Sequence, residues 1–285
     1  MAKSGAVNTI IEFDHDAIKA REAVVEKESD TEIMNRLEDR YDVLIEMTKA
    51  VKSGDVRAMI VVGPPGVGKS YGVNEVLEKD GLFNTLAERR PNYEVVKGAM
   101  SSLGLYVKLH EFKDKKSVVV FDDCDAVLMD ELSLNILKGA LDSSKRRTIS
   151  WNLDSRLLKA EDIPNTFEFE GAAIFITNIK FEFVRSKKLR GHLDALESRC
   201  HYIDLQMDTN REKLLWIKST VEKKGMLNDR DLDTDAKQEV IQYVEDNQDT
   251  LRELSLRMVL KLADLRESFP ASWQKMAQQT CMRRK

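Results

Sequence analysis

Five short apolar runs mark the middle of the chain: RAMIVVG at 57–63, YEVVKG at 93–98, SVVVFDD at 117–123, AAIFITN at 172–178 and HYIDL at 201–205. The third and fourth are apolar at almost every position, without the alternation of a half-exposed strand. Such runs suit strands buried on both faces, as in a parallel sheet. Between the runs the period lengthens. Residues 31–53 place Ile33, Leu37, Val43, Leu44 and Met47 at near-helical spacing, and Gly54 follows as a stop. SYGVNEVLEK after the first run, and 130–144 with Asp130 placed to cap it, also read as helices. Strands alternating with helices predict an α/β layered fold. Residues 145–170 break the alternation and read as an inserted hairpin-like or irregular segment. From Asp208 onward strand signals stop. Residues 209–225, 235–247 and 255–268 read as helices, with Thr209 or Asn210 capping the first and Gly225 ending it. The expected division is an N-terminal arm and helix over 1–55, an α/β core over 56–207 and a helical segment over 208–285.

Composition narrows the classes. With 285 residues, 42% hydrophobic and 33% charged, the chain reads as a soluble, helix-rich protein with one large core or a core and a smaller domain. A net charge of −4 argues against strong non-specific nucleic-acid binding. Local basic runs at 143–147 (SSKRR) and 282–285 (MRRK) read as solvated surface or as nucleic-acid contacts. Cys124, Cys200 and Cys281 are too scattered for a disulfide framework or a zinc site, so a reducing cytoplasm is expected. No apolar run has the length of a membrane span, and the N-terminus carries no signal-peptide core.

The first apolar run ends in Gly63, Pro64, Pro65, Gly66, Val67, Gly68, Lys69 and Ser70, a full match to G-x-x-x-x-G-K-S/T between a predicted strand and a predicted helix. Glycine lets the backbone wrap phosphate oxygens with several N–H groups pointing inward, and the helix start adds its positive end. Lys69 neutralises the outer phosphates, the Ser70 hydroxyl ligates Mg²⁺, and Tyr71 lies next to the bound nucleotide. The third run ends in carboxylates at Asp122, Asp123 and Asp125. Asp122 is expected to hold the metal and Asp123 to orient the attacking water, with Asp125 as the fallback. A calcium loop is excluded because its glycine and terminal glutamate spacings are absent.

GPPGVGKS resembles the Walker A motif of the AAA+ ATPases, and VVVFDDCD their Walker B. IFITN resembles their sensor 1 strand, which implies that Asn178 faces the γ-phosphate and water. ALESRCHYIDL resembles the helix end before the fifth strand and implies Arg199 as an arginine finger, with Arg190 a weaker competitor. ELSLRMVLKL resembles the start of the sensor 2 helix and implies Arg257, with Arg252 the alternative. The resemblance covers about residues 31–265, and several strings look similar to small AAA+ ATPases of tailed phages. It implies an ASCE/AAA+ P-loop NTPase: an αβα sandwich on a five-stranded parallel sheet, followed by a small all-α lid. It further implies ATP and Mg²⁺ between core and lid, a homo-oligomeric ring taken as a hexamer, and work on a macromolecule, a protein ahead of DNA. One departure stands out: Asp123 occupies a position usually held by glutamate, one methylene longer, which implies slow hydrolysis. In KGAMSSLGLY (97–106), Met100, Leu103 and Tyr106 read either as groups that grip a threaded chain or as core.

Overall fold

The computed structural model describes residue 25, residues 27–86 and residues 92–283, with the backbone alone at 80–86. Most of the arm expected over 1–30 lies outside the described residues. Two compact units emerge. One joins Tyr41–Gly63 to Lys69–Asp204, and the other joins the described residues up to Arg40 to Pro64–Gly68 and to 205–283.

The first unit is built on a parallel five-stranded sheet. Its strands are β1 (Ala58–Val62), β2 (Tyr93–Lys97), β3 (Val118–Asp122), β6 (Ala172–Thr177) and β7 (His201–Asp204), in the order β2-β3-β6-β1-β7. Burial follows that order. The central β1, β3 and β6 are buried at every position, whereas the edge strands β2 and β7 are mostly half-buried or exposed. This is why the central runs lack alternation and YEVVK and HYID carry polar residues. On one face Ile60, Val62, Val119, Phe121, Ala173 and Phe175 pack with α3 (Ser102–Glu111), the short α4 (Asp125–Leu128), α5 (Glu131–Ala140) and α7 (Lys187–Glu197). Phe121 and Phe175 stack with centroids 5.2 Å apart. Their neighbours Met59, Val61, Val120 and Ile174 point to the other face and are equally buried. In α2 (Lys69–Leu86) and the later part of α1 (Asp30–Ser53), the buried Leu44, Val51, Val73 and Leu77 likewise lie outside the first cluster. The two helices approach closely: Lys52 Nζ donates to the Val76 and Leu77 carbonyls, and a Cβ added to Gly72 would lie 2.8 Å from Tyr41 Oη. The expected ends of α1 and α5 hold. Gly54 ends α1 at φ 87°, and Asp130 caps α5 by accepting from the Ser133 N–H.

Between α5 and β6 the chain forms the antiparallel pair β4 (Thr148–Ser150) and β5 (Thr166–Glu168), with the short α6 (Arg156–Ala160) between them. This hairpin explains two local features. Tyr106 is fully buried, edge-on to Phe167 at 5.0 Å, and donates its hydroxyl to the Pro164 carbonyl at 2.9 Å. It is a core residue and does not grip a chain; Met100 and Leu103 pack half-buried against the same cluster. Of the basic run at 143–147, only Arg147 turns inside the fold; residues 143–146 are exposed. The Arg147 guanidinium is buried, donates to the Ala140 and Gly171 carbonyls and lies 5.2 Å over the Phe169 ring; burial lowers its pKa to about 10. Arg146 pairs with Glu168.

The second unit contains α8 (Asn210–Glu222), α9 (Thr234–Asp246), α10 (Leu256–Ser268) and α11 (Trp273–Thr280). Ile217, Val221, Val240, Val244, Val259, Leu262 and Trp273 belong to its core. Thr209 and Glu212 form a reciprocal capping box at the start of α8, and Gly225 follows that helix at φ 69°. Glu212 is buried because the early part of α1 supplies Arg36, which donates to it at 3.1 Å and to Glu28 at 2.7 Å.

Candidate nucleotide site

In the α/β unit, the groups singled out by sequence converge at the carboxyl ends of β1, β3 and β6. Lys69, 6% exposed, opens α2 and turns its ammonium back to the Gly63 carbonyl at 2.7 Å and to Asn178 Oδ1 at 2.8 Å. Asn178 Nδ2 donates to Asp123 Oδ1 at 3.1 Å. Ser70 Oγ donates to Asp122 Oδ1 at 2.8 Å, and Lys97 Nζ lies 3.2 Å from Asp122 Oδ2. The chain thus holds Gly63, Lys69, Ser70, Asp122, Asp123 and Asn178 in two linked sets of bonds.

Local geometry produces this. The Asp123 N–H continues the ladder by donating to the Ile176 carbonyl at 3.0 Å, while its own φ of 54° turns the chain off the strand. Aspartate tolerates this left-handed conformation better than most residues. Beyond the turn, Asp125 accepts from the Thr177 hydroxyl at 2.6 Å, and that hydroxyl accepts from the Ile179 N–H at 3.0 Å. Thr177 is fully buried, so the residues on both sides of Asn178 are pinned to it. Burial raises the Asp125 pKa, partly offset by the Thr177 hydrogen bond. Burial, reinforced by the surrounding aspartates, also raises the thiol of Cys124. Asp125 and Thr177 therefore form a structural second layer, which residue spacing alone did not reveal.

The rest of the glycine-rich loop, Pro64–Gly68, packs within the helical unit. Gly66 and Gly68 adopt φ 74° and 101°. A Cβ on Gly66 would lie 2.8 Å from Ser255 Cβ and 3.5 Å from Arg257 Cβ, so the start of α10 lies against the loop backbone. Ser255 caps α10 through the Met258 N–H; Arg257, in its first turn, is exposed. Val67 is buried and Tyr71 is 69% exposed.

Arg199 is not brought to the Lys69 cluster. It lies just before β7, whose His201 pairs with Met59 near the start of β1, whereas Gly63 follows the end of β1. A five-residue strand spans about 16 Å. Arg199 donates to the Ala195 carbonyl and approaches Asp142 at 3.8 Å, and its Nε is buried with no hydrogen-bond partner among the described residues.

The donor set fits a magnesium nucleotide. Ser70 and Asp122 present hard oxygen ligands to one point, and a buried ammonium sits at the head of a loop with two left-handed glycines. No protein-family model matches the chain. An uncharacterised 36.7 kDa protein from the nrdC–mobD intergenic region of Enterobacteria phage T4 is 32% identical over 268 residues, covering 93% of this chain and 80% of that protein. Three solved structures show partial likeness. The replication initiator DnaA bound to AMPPCP and single-stranded DNA gives a TM-score of 0.45 at 11% identity, covering 84% of this chain and 64% of that one. Domain III of Thermotoga maritima DnaA gives 0.43 at 14%, covering 84% and 89%. C. elegans PCH-2 gives 0.33 at 15%, covering 86% and 63%, so this chain spans less than two thirds of the first and third. On its 32% identity to the T4 protein over most of both chains, the chain belongs to the family of that phage protein.

Proposed function

We propose that the chain binds Mg²⁺·ATP at the Lys69 cluster, hydrolyses it, and uses the cycle to remodel a macromolecular assembly. The observation that carries this is the bonded set Lys69–Asn178–Asp123 beside Ser70–Asp122 at the ends of three adjacent strands. In this reading residues 63–68 cradle the phosphates, Lys69 neutralises them, and Tyr71 and Arg257 complete the nucleotide's surroundings. Ser70 and Asp122 hold Mg²⁺, which supplies charge neutralisation at the phosphate oxygens. Asp123 accepts a proton from the attacking water, and Asn178 fixes the orientation of that carboxylate. The helical unit acts as the lid.

Arg199 acts on a neighbouring protomer. Its place at the opposite end of the sheet from the phosphate loop removes it from its own chain's site, and a guanidinium delivered across an interface stabilises charge on the transferring phosphoryl. Full activity then requires a ring, which we take as a hexamer. Among the described residues no helix is long and apolar enough to cross a membrane, and we place the protein in the cytoplasm, that of the bacterial host if it is phage-encoded. The target is a protein or protein–DNA assembly ahead of bare DNA, in keeping with the net charge of −4 and the burial of Arg147. A second reading is a nucleotide-gated binding module with slow turnover, favoured by the short aspartate at 123.

The test is an Asp123→Asn chain, assayed for Mg²⁺·ATP binding and turnover alone, with single-stranded or duplex DNA, and with an unfolded protein. Retained binding with turnover at least about a hundredfold lower supports Asp123 as the base. Unchanged turnover removes that role. Stimulation of the wild type by DNA alone replaces the protein target with DNA, and tight binding with negligible wild-type turnover favours the gated module.

A further inference from the structure

The glycine-rich loop receives two hydrogen bonds from the helical unit. The Leu256 N–H, at the first position of α10, donates to the Gly66 carbonyl at 2.9 Å. The Trp216 Nε1–H, on α8, donates to the Val67 carbonyl at 3.0 Å; the ring is 2% exposed, with Lys224 Nζ lying 4.4 Å from its centroid. A trans peptide is planar, and its C=O and N–H point in opposite directions. The Gly66 carbonyl shares its plane with the Val67 N–H, and the Val67 carbonyl shares its plane with the Gly68 N–H. Holding both carbonyls toward the helices therefore fixes where those two N–H groups point. A phosphate cradle works only when successive N–H groups converge.

We infer that Trp216 and the backbone of Leu256 are positioning groups for the phosphate loop, so that the helical unit sets the chain's affinity for nucleotide before any nucleotide arrives. The inference rests on reading the loop as a triphosphate site. It differs from the role proposed for Arg257: Trp216 and Leu256 act on the protein backbone, and their contribution exists in the free chain. It also explains why a tryptophan stands in α8, where a phenylalanine would fill much of the same space without a donor.

Two substitution pairs isolate the two bonds. Trp216→Phe removes the indole donor, and Trp273→Phe makes the same change at another buried tryptophan of the same unit, where Trp273 packs on Tyr243. Leu256→Pro removes the N–H at a helix position that tolerates proline, behind Ser255 at φ −156° and ψ 161°, which suits the residue before a proline. Leu256→Ala loses a similar side chain and keeps the N–H. Binding of Mg²⁺·ATP to each full-length chain is measured by calorimetry, with kcat and KM alongside. Trp216→Phe should weaken binding about five- to twentyfold, the effect of losing one buried hydrogen bond, and raise KM with kcat nearly unchanged, because the loop grips ground state and transition state alike. Leu256→Pro should weaken binding several-fold beyond Leu256→Ala. Equal effects of Trp216→Phe and Trp273→Phe, or of Leu256→Pro and Leu256→Ala, would overturn the inference, as would a loss confined to kcat. A wild-type chain that binds no ATP removes the parent reading. Normal wild-type binding with unchanged affinity in Trp216→Phe and Leu256→Pro removes only the positioning role.

Discussion

Thr177 donates one hydrogen bond to Asp125 and accepts another from the Ile179 N–H, fastening the chain on both sides of Asn178. Thr177→Val keeps the shape and deletes both bonds. It should lower kcat about tenfold, the cost of roughly one net hydrogen bond to the site's alignment, and Thr177→Ser should restore most of the rate. Steady-state turnover of the two variants checks this. A second residue-scale prediction concerns Cys200. Burial pushes its thiol up to about 12, only partly relieved by Arg199. Below the unfolded value of about 8.5 the thiol is neutral in both states and contributes nothing to the pH dependence of stability. From there toward 12 only the unfolded chain ionises, so stability falls as pH rises. An aromatic disulfide reagent at pH 8 should modify the half-buried Cys200 far more slowly in the native protein than in guanidinium; equal rates in both states would contradict the raised thiol. Sequence made Lys69, Ser70, Asp122 and Asn178 legible because their chemistry is local to a motif. Thr177 and Trp216 were not, because a threonine at a strand end and a tryptophan in a helix look like packing until their tertiary partners are known.

At the scale of elements, the five strands and the helices at α1, α5, α8, α9 and α10 followed from apolar period and caps. The hairpin at β4–β5 read only as an interruption, since its three-residue strands are too short to show a period. The last helix, α11, was missed: Trp273 and Ala277 are its buried residues, one turn apart, and two positions do not make a periodic face. The Tyr106 alternative was undecidable from sequence because the hairpin that covers it lies more than forty residues further on. The loop between β1 and α2 carries a prediction of its own. At φ 74°, with Ser255 2.8 Å from any added Cβ, Gly66→Ala incurs about 1–2 kcal/mol of backbone strain and must also displace the start of α10. Thermal melting should fall by several degrees, and nucleotide binding should be lost. A variant that binds ATP normally would show that this turn is not part of the cradle.

For the whole molecule, the proposal divides one active site between two protomers. The phosphate loop lies at the carboxyl ends of the strands and Arg199 at their amino ends, so one chain alone does not complete the set. Arg199→Ala should therefore keep ATP binding and lose about a thousandfold or more in turnover. Mixing it with a Lys69→Ala chain should recover part of the rate, since mixed rings contain interfaces with an intact loop on one side and an intact arginine on the other. Neither variant alone would show that recovery, and its absence in co-assembled samples would place Arg199 outside the reaction. All of this depends on the buried Lys69 ammonium acting as a phosphate ligand. The most direct measurement is phosphate release from Mg²⁺·ATP by purified wild-type and Lys69→Ala chains at equal concentration. The account predicts steady release by the wild type and at least about a hundredfold less by the variant; equal rates from the two chains would contradict it.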